Sequence, residues 1–333
     1  MDDHLGPAEQ RFFGRGFRRV AYDLGELRVT SGPGTEGRVR AVTTVGVRYP
    51  ADWSRKTDGT DLRPHFSTVD GIVVAAQLAE ACLGGRGAGL RDGWLRSVRL
   101  TAGSRPQEDL DALPAEAVVR RTEPATDRSG WVVSHVDCAV GTMRIRCEVE
   151  HPAPPSVTAG SPAAADLVAA PGWEGLLGPA PDRYFGTGFT TRRQHVRGVE
   201  IDHAALGATA TLTLEHEDGA PVPTAGLEGA HQPSVSVVDA FVTALQLAQV
   251  MLYDLDGMRR QDSNTLWMRQ TTLTAERPDR PSAGIPVTTR IADPGLLRMG
   301  DATWRTLDVV GELGGIRVRS AVAHQLPEGH PSA

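Results

Sequence analysis

A long internal repeat limits the possible folds of this chain more than any other feature. Residues 5–17 read LGPAEQRFFGRGF and residues 177–189 read LGPAPDRYFGTGF, with nine of the thirteen positions identical. Unrelated segments of this composition would share about one position. The match indicates two copies of one structural unit, so the motifs along the chain are interpreted in pairs.

Later landmarks recur in the same order. STVDGIVVAAQLAEACL (67–83) aligns with SVVDAFVTALQLAQVML (236–252), and WLRSVRLTA (94–102) aligns with WMRQTTLTA (267–275). The segment between the two copies, 152–176, is rich in Pro, Ala, Gly and Ser, which resist regular structure. The sequence therefore predicts an N-terminal domain (1–151), a linker (152–176) and a C-terminal domain (177–326).

Each predicted domain has the same order of elements, and in both the opening motif leads into a first strand. The strands 39–49 and 208–216 alternate β-branched and polar residues, and each precedes a helix, 68–83 or 237–252, that is apolar on nearly all faces. Further short strands follow, predicted at 94–102, 115–121, 131–138, 141–150, 266–275, 285–291, 302–310 and 315–323.

One buried helix wrapped by a curved antiparallel sheet is the hotdog arrangement. We therefore predict an α+β tandem (double) hotdog in which the two units pair their sheet edges. A duplicated β-sandwich is the alternative, but it has no place for an apolar central helix.

Composition and charge exclude several classes of function. The formal net charge of −6 argues against bulk electrostatic binding of nucleic acid. The N-terminus has no secretory signal pattern, and no run approaches eighteen apolar residues, so a cytoplasmic protein without membrane contact is expected. The three cysteines have no CxxC spacing, which favours packing over a disulfide framework or a metal site, and no metal is expected.

The residues around each helix start can carry acid–base chemistry. His65 and His231 can act as general bases or as loop hydrogen-bonding groups. Ser67 and Ser236 fit helix N-caps. Asp70 and Asp239, three residues later, can complete a capping box or serve as general bases in a buried slot.

Other polar residues have two interpretations. Gln77, Glu80 and Gln246 lie on apolar helices, so they either face a ligand or bond to protein groups. Arg18 and Arg193 can belong to a solvated face or bind a phosphate or carboxylate. The glycines of FFGRGF lack the further residues of a P-loop or dinucleotide fingerprint, which favours a structural bend.

LGPAEQRFFGRGFRRV and HFSTVDGIVVAAQLAEA, with their second copies, resemble the avirulence D family of syringolide synthesis proteins over essentially the whole chain. The chain is also distantly similar to the double-hotdog enzymes that make γ-butyrolactone signals. The resemblance implies condensation of a 3-oxoacyl thioester with a small hydroxyketone, either a ketose such as xylulose or a triose phosphate. The product would be a butenolide or lactone precursor of a signalling lipid.

Site roles follow from that implied chemistry. His65 or Asp70 would deprotonate the sugar hydroxyl, an oxyanion would bind backbone amides near Gly71 or Ala240, and Asp239 with His231 would perform a second deprotonation. The other substrate-binding residues would be Ser67, Gln77, Glu80, Ser236, Gln246, Arg18 and Arg193.

No cofactor is expected for this chemistry. The partners would be an acyl carrier protein or coenzyme A thioester and the hydroxyketone, bound by a monomer or a homodimer. The alternatives are a hotdog acyl-thioester hydrolase, a dehydratase or hydratase, and a non-catalytic acyl-thioester binding protein.

Overall fold

A computed structural model describes residues 1–31, 38–53, 63–84, 89–154, 172–258, 266–280 and 284–327. Its α-helices are α1 (Asp2–Leu5), α2 (Thr68–Gly84), α3 (Gly172–Leu177) and α4 (Val237–Leu255). The first seven strands are β1 (Ala21–Leu24), β2 (Arg28–Thr30), β3 (Arg40–Arg48), β4 (Trp94–Thr101), β5 (Leu113–Pro124), β6 (Trp131–Val140) and β7 (Met143–Pro152). The other six are β8 (Arg192–Asp202), β9 (Gly207–His216), β10 (Leu266–Ala275), β11 (Ile285–Met299), β12 (Ala302–Leu313) and β13 (Ile316–Gln325).

The strands form one antiparallel sheet whose order runs β1-β3-β5-β6-β7-β4-β10-β13-β12-β11-β9-β8, with β2 paired to β3. The strands of the first half therefore lie on one side of the β4–β10 pair and those of the second half on the other. β4 and β10 are antiparallel, with Val98 opposite Leu273. The predicted α+β class and the predicted strands and long helices are confirmed, while β2 was not predicted. The proposed domain boundaries stay a prediction, and most of the linker, 155–171, lies outside the described residues.

The two long helices are buried because they are apolar on every side. Every residue of α2 from Thr68 to Leu83 is buried, and α2 packs against β3 to β7. α4 packs against β8 to β13 and also contacts α2. α4 has the length and composition of a membrane span, but it is buried along most of its length. The cysteines Cys82, Cys138 and Cys147 are buried and form no disulfide, as expected for packing residues.

The repeated opening motif forms the contact between the halves. Phe17 stacks on Phe189 with ring centroids 6.4 Å apart, and Phe13 meets Phe241 of α4 edge to face at 5.7 Å. Aromatic pairs at these separations stabilise an interface beyond their buried area. The motif is thus a packing element, which agrees with its interpretation as a structural bend.

The motif glycines are required by close backbone approach. A Cβ atom on Gly14 would lie 2.5 Å from the carbonyl oxygen of Ala8, and one on Gly186 would lie 2.2 Å from that of Ala180. Both separations are far below van der Waals contact with backbone that cannot rotate away. The glycine spacing of FFGRGF therefore follows from this turn.

Candidate active site at the start of the first long helix

Asp70 lies in the first turn of α2 and is fully buried. The Ser67 amide donates to its carboxylate at 2.7 Å, while the Asp70 amide donates to Ser67 Oγ at 3.2 Å. These reciprocal bonds make a capping box, as the sequence suggested. The hydroxyl of Tyr22 donates to Oδ1 at 2.7 Å, and that of Tyr49 donates to Oδ2. The carboxylate thus has only neutral hydrogen-bond donors among the described residues.

The electrostatics of this group favour proton transfer at neutral pH. Burial raises the pKa of Asp70 above its ordinary value, and the bonds from Tyr49, Tyr22 and Ser67 oppose that shift. Burial lowers the pKa of half-buried His65, and the negative charge of Asp70 partly offsets the effect. The His65 imidazole is therefore neutral at pH 7 and can accept a proton. The Tyr49 hydroxyl also lies 2.9 Å from the backbone carbonyl oxygen of His65, so it connects the Asp70 carboxylate to the loop that carries His65.

The equivalent carboxylate in the second half has different partners. Asp239 Oδ2 lies 2.9 Å from Arg192 Nη1, and both side chains are fully buried. Gln194 donates to Oδ1 at 2.8 Å, and Ser236 donates to Oδ2 from its amide and its hydroxyl. The Tyr184 hydroxyl completes the group at 3.4 Å from Oδ2. These contacts favour the capping role of Asp239 and Ser236, and their roles in catalysis and substrate binding stay predictions.

Three substitutions between the copies produce this difference. Arg192 occupies the position equivalent to Val20, and Gln194 the position equivalent to Tyr22. The pairing of β1 with β3 and of β8 with β9 makes His216 the counterpart of Tyr49. Among the described residues, the carboxylate of the first half therefore has no ion-pair partner and contacts two half-buried tyrosines, whereas the carboxylate of the second half belongs to a fully buried ion pair.

The amides predicted to bind an oxyanion need correction. The Gly71 amide donates to the Ser67 carbonyl and the Ala240 amide to the Ser236 carbonyl, both at 3.0 Å, so both belong to the helical ladder. Gly71 is required instead for packing, since a Cβ there would lie 2.5 Å from Met143 Sδ. Within the described part of the chain, the α2 amides that have no acceptor are those of Thr68 and Val69.

The polar residues on the long helices bond across the halves. Arg183, in the second copy of the motif, pairs with Glu80 of α2 at 2.7 Å, and the Leu227 amide donates to Glu80 at 2.6 Å. Arg11, in the first copy, donates to Gln246 of α4 at 2.5 Å. These contacts favour a protein-bonding role for Glu80 and Gln246 over ligand binding. Gln77 is buried in α2, and its predicted substrate role stays open.

His231 lies in the loop before α4 beside Trp94, with ring centroids 6.1 Å apart. Its Nε2 is 2.8 Å from the Asp92 carbonyl oxygen, which can only accept, so Nε2 carries the proton. The ring borders a shallow cleft of about 470 Å³ that Arg277 and Arg280 also line. Because Nε2 donates to the Asp92 carbonyl, Nδ1 is the ring nitrogen that could accept a proton, and the predicted role of His231 as a base stays a prediction.

Glu228 is a residue that the sequence reasoning missed. It is buried with a left-handed backbone (φ 66°), its Oε1 accepts from the Leu95 amide at 3.2 Å, and its Oε2 has no partner among the described residues. Burial raises its pKa to about 8, and the charges of Asp239 and Glu80 add to the shift. Glu228 is therefore mostly protonated at pH 7, which limits the excess negative charge beside Arg183 and Arg192.

We expect Glu228→Gln to change how stability depends on pH. A carboxyl whose pKa is raised in the folded state stabilises fully below about pH 4.5 and loses that contribution as pH rises through about 8. The wild type should therefore lose stability relative to the variant by up to about 1.4 kcal/mol per pH unit within that window. Urea unfolding at pH 5, 7 and 9 measures the difference. Parallel curves for the two proteins would show that Glu228 ionises normally.

The two remaining predicted residues lie where the motifs meet. Arg18 donates to the Arg192 carbonyl oxygen at 2.9 Å, and Arg193 lies 3.5 Å from Glu217.

Within the described residues, no group of three or more His, Cys, Asp or Glu side chains could hold a metal ion.

Comparison with solved structures found low-scoring matches over most of the chain. A tesB protein of Mycobacterium avium subs paratuberculosis has 11% identity and a TM-score of 0.42, covering 86% of this chain and 93% of that one. A conserved hypothetical protein from Mycobacterium tuberculosis with a double hotdog fold has 15% identity and a TM-score of 0.39, covering 78% and 86%. The 12:0-ACP thioesterase from Umbellularia californica has 9% identity and a TM-score of 0.37, covering 97% and 98%.

A search of curated protein sequences found no match. The sequence profile of one family, in contrast, matches residues 1–327, which include both copies of the repeat, both long helices and the Asp70 and Asp239 networks. The chain belongs to the Pseudomonas avirulence D protein (AvrD) family.

Proposed function

We propose that the protein condenses a 3-oxoacyl thioester with a small hydroxyketone, and that the reaction takes place at the start of α2. The observation that carries this proposal is the difference between the two helix-start carboxylates. Asp70 has neutral donors and lies near half-buried His65, whereas Asp239 is sealed against Arg192. The deprotonation steps require a general base, here His65, and a nearby negative charge, here Asp70, that stabilises the base once it is protonated.

We infer that each half is a hotdog unit, with α2 and α4 as central helices. The sheet order supports this inference, because each helix packs on the strands of its own half and β4 pairs with β10 between them. Joining the edges in this way removes two free strand edges. The α2 start would then lie near the boundary of the units, because Tyr49 of the Asp70 group stacks on Phe12 and the neighbouring Phe13 contacts Phe241 of α4.

In the first step the hydroxyl of the ketone substrate gives its proton to the neutral imidazole of His65. The resulting alkoxide attacks the thioester carbon. The Thr68 and Val69 amides would donate hydrogen bonds to the oxyanion that forms on the former carbonyl oxygen. The C–S bond then breaks, and the thiolate takes the proton from the imidazolium. An ester and a free thiol result, and the negative charge of Asp70 stabilises the transient imidazolium.

The second step closes the ring. The carbon between the ketone and ester carbonyls is acidic, and His65 takes its proton. The carbanion adds to the ketone carbon of the former hydroxyketone, and the new alkoxide recovers the proton from His65. Loss of that hydroxyl as water would yield a butenolide. Assigning both proton transfers to the first half differs from the predicted use of Asp239 and His231 for the second.

Incubation with a 3-oxoacyl thioester, with and without a ketose or triose phosphate, tests the proposal. Mass spectrometry detects the condensed product, and a thiol reagent follows release of the carrier thiol. We expect a condensed product and release that depends on the hydroxyketone. Release at the full rate without it would identify a hydrolase, and neither product nor release would identify a binding protein.

A further inference from the structure

Three arginine side chains converge on a single oxygen where the two motif copies meet. Arg15 Nη2, Arg18 Nη1 and Arg193 Nε lie 3.9, 3.6 and 3.5 Å from Glu217 Oε1. Arg15 lies in the first copy of the motif and Arg18 directly follows it, while Arg193 is the second residue of β8, the strand that follows the second copy. We call these three residues the arginine cradle. It exists only because the halves are packed together.

The central arginine is held in place before any ligand binds. The Arg18 side chain is 8% exposed, and its Nη1 donates to the Arg192 carbonyl oxygen at 2.9 Å. Its Nε is buried and has no acceptor among the described residues. Burial lowers the pKa of Arg18 to about 10, opposed by Glu217 and reinforced by Arg15 and Arg193. The positive charges of Arg15, Arg18 and Arg193 together require an anion with several acceptor oxygens to balance them.

Glu217 does not meet that requirement. Charge-assisted hydrogen bonds between guanidinium and carboxylate groups are about 2.7 to 2.9 Å long, and all three separations here are longer. The Glu217 side chain is 35% exposed, so it can turn towards solvent. Its charge and that of Glu9, 3.6 Å from Arg15, leave the three arginines with one unbalanced positive charge.

We propose that the arginine cradle binds the phosphate group of a substrate, with Glu217 displaced towards solvent. A phosphate presents several oxygens to three guanidinium groups at once, which a single carboxylate oxygen cannot do. Both a phosphorylated hydroxyketone and the phosphate-bearing arm of an acyl thioester supply this group. The identification of the ligand as a substrate rests on the proposed function. The binding of a phosphate group does not, because binding can be measured without turnover.

Binding of inorganic phosphate to the full chain, measured by calorimetry at constant ionic strength, tests the site. Arg15→Gln and Arg193→Gln should each weaken binding by about tenfold. Arg197→Gln, an exposed arginine on the same strand as Arg193, removes the same charge and should leave affinity within about twofold.

Glu217→Gln separates ligand binding from a structural role. If the cradle binds phosphate, removal of the internal competitor should tighten binding by about tenfold. If the arginines only hold Glu217, this variant would lose thermal stability without gaining affinity, which would overturn the proposal. Equal losses in Arg193→Gln and Arg197→Gln, or no binding by the wild type, would overturn it as well.

Competition identifies the source of the phosphate. A triose phosphate that displaces inorganic phosphate more strongly than coenzyme A assigns the cradle to the hydroxyketone, and the reverse order assigns it to the thioester. A protein that binds phosphate but forms no condensed product would contradict the proposed function alone. A protein that condenses an unphosphorylated ketose but binds no phosphate would contradict the cradle alone.

Discussion

Asp239→Asn is expected to lower the free energy of unfolding by about 3 to 5 kcal/mol. Arg192 is fully buried, and Asp239 is its ion-pair partner at 2.9 Å. Removing the carboxylate charge leaves a guanidinium without compensation in a site that water does not reach. The substitution also removes an acceptor for Ser236 and Tyr184, although Asn retains one oxygen. Urea unfolding at pH 7 measures the loss.

Two further proteins test the cause. Asp70→Asn makes the same change at the equivalent position, but Asp70 has only neutral donors, so we expect a loss of about 1 kcal/mol. The double variant Arg192→Met/Asp239→Asn removes both charges and should recover most of the stability lost in the single variant. Equal losses for Asp70→Asn and Asp239→Asn would contradict the difference between the two networks.

His65→Gln is expected to lower kcat for condensation by about 10² to 10⁴, because the His65 imidazole is the proposed base for the hydroxyl proton and a glutamine amide cannot accept a proton in its place. KM should change little, since glutamine retains the volume and the polarity of the side chain. Thiol release in the presence of the hydroxyketone measures the rate. His203→Gln, at an exposed position between β8 and β9, is the matched control and should keep the wild-type rate.

The pH profile gives a second readout of the same residue. The pKa of His65 lies below its ordinary value of 6.5, so activity should fall only as pH drops below that value. The charge of Asp70 raises the His65 pKa, so Asp70→Asn should move the acid limb to still lower pH. An acid limb that does not move would show that Asp70 has no electrostatic effect on the base.

Much of the fold could be predicted from one sequence because the repeat made each element visible twice. The apolar helix at 68–83 and its copy at 237–252 match α2 and α4 closely, and the alternating segments match the strands. These patterns are local, because a strand with one buried face alternates apolar and polar residues, and a helix buried on all faces is apolar throughout. The capping serines and aspartates could be recognised for the same reason, since a cap is a contact over three residues.

The roles of several polar residues could not be predicted, because their partners are distant in the sequence. Arg183 meets Glu80 across 103 positions, and Arg11 meets Gln246 across 235. Asp239 forms an ion pair and Asp70 does not, because the second half has Arg192 at the position equivalent to Val20 in the motif alignment. That difference was visible in the sequence, but its effect on Asp239 required the fold. The sequence contains no pattern that marks Glu228, because its raised pKa results from burial in the folded protein.

The opening motif illustrates the same limit. Its two copies were interpreted as bends, and the close approach of Gly14 and Gly186 to backbone oxygens accounts for their glycines. The alignment could not show that the copies contact each other through Phe17 and Phe189. The arginines that follow them gather into the arginine cradle only as a result of that contact.

In the proposed mechanism the first half carries the reaction, and the second half preserves a structural copy of its helix start. Measurement of kcat for condensation in Asp70→Asn and in Arg192→Met/Asp239→Asn tests this assignment, at a temperature where unfolding curves show both proteins to be folded. We expect a fall of about 10² for Asp70→Asn and a rate within about threefold of wild type for the double variant. A large loss in the double variant together with wild-type turnover in Asp70→Asn would show that the reaction does not take place in the first half.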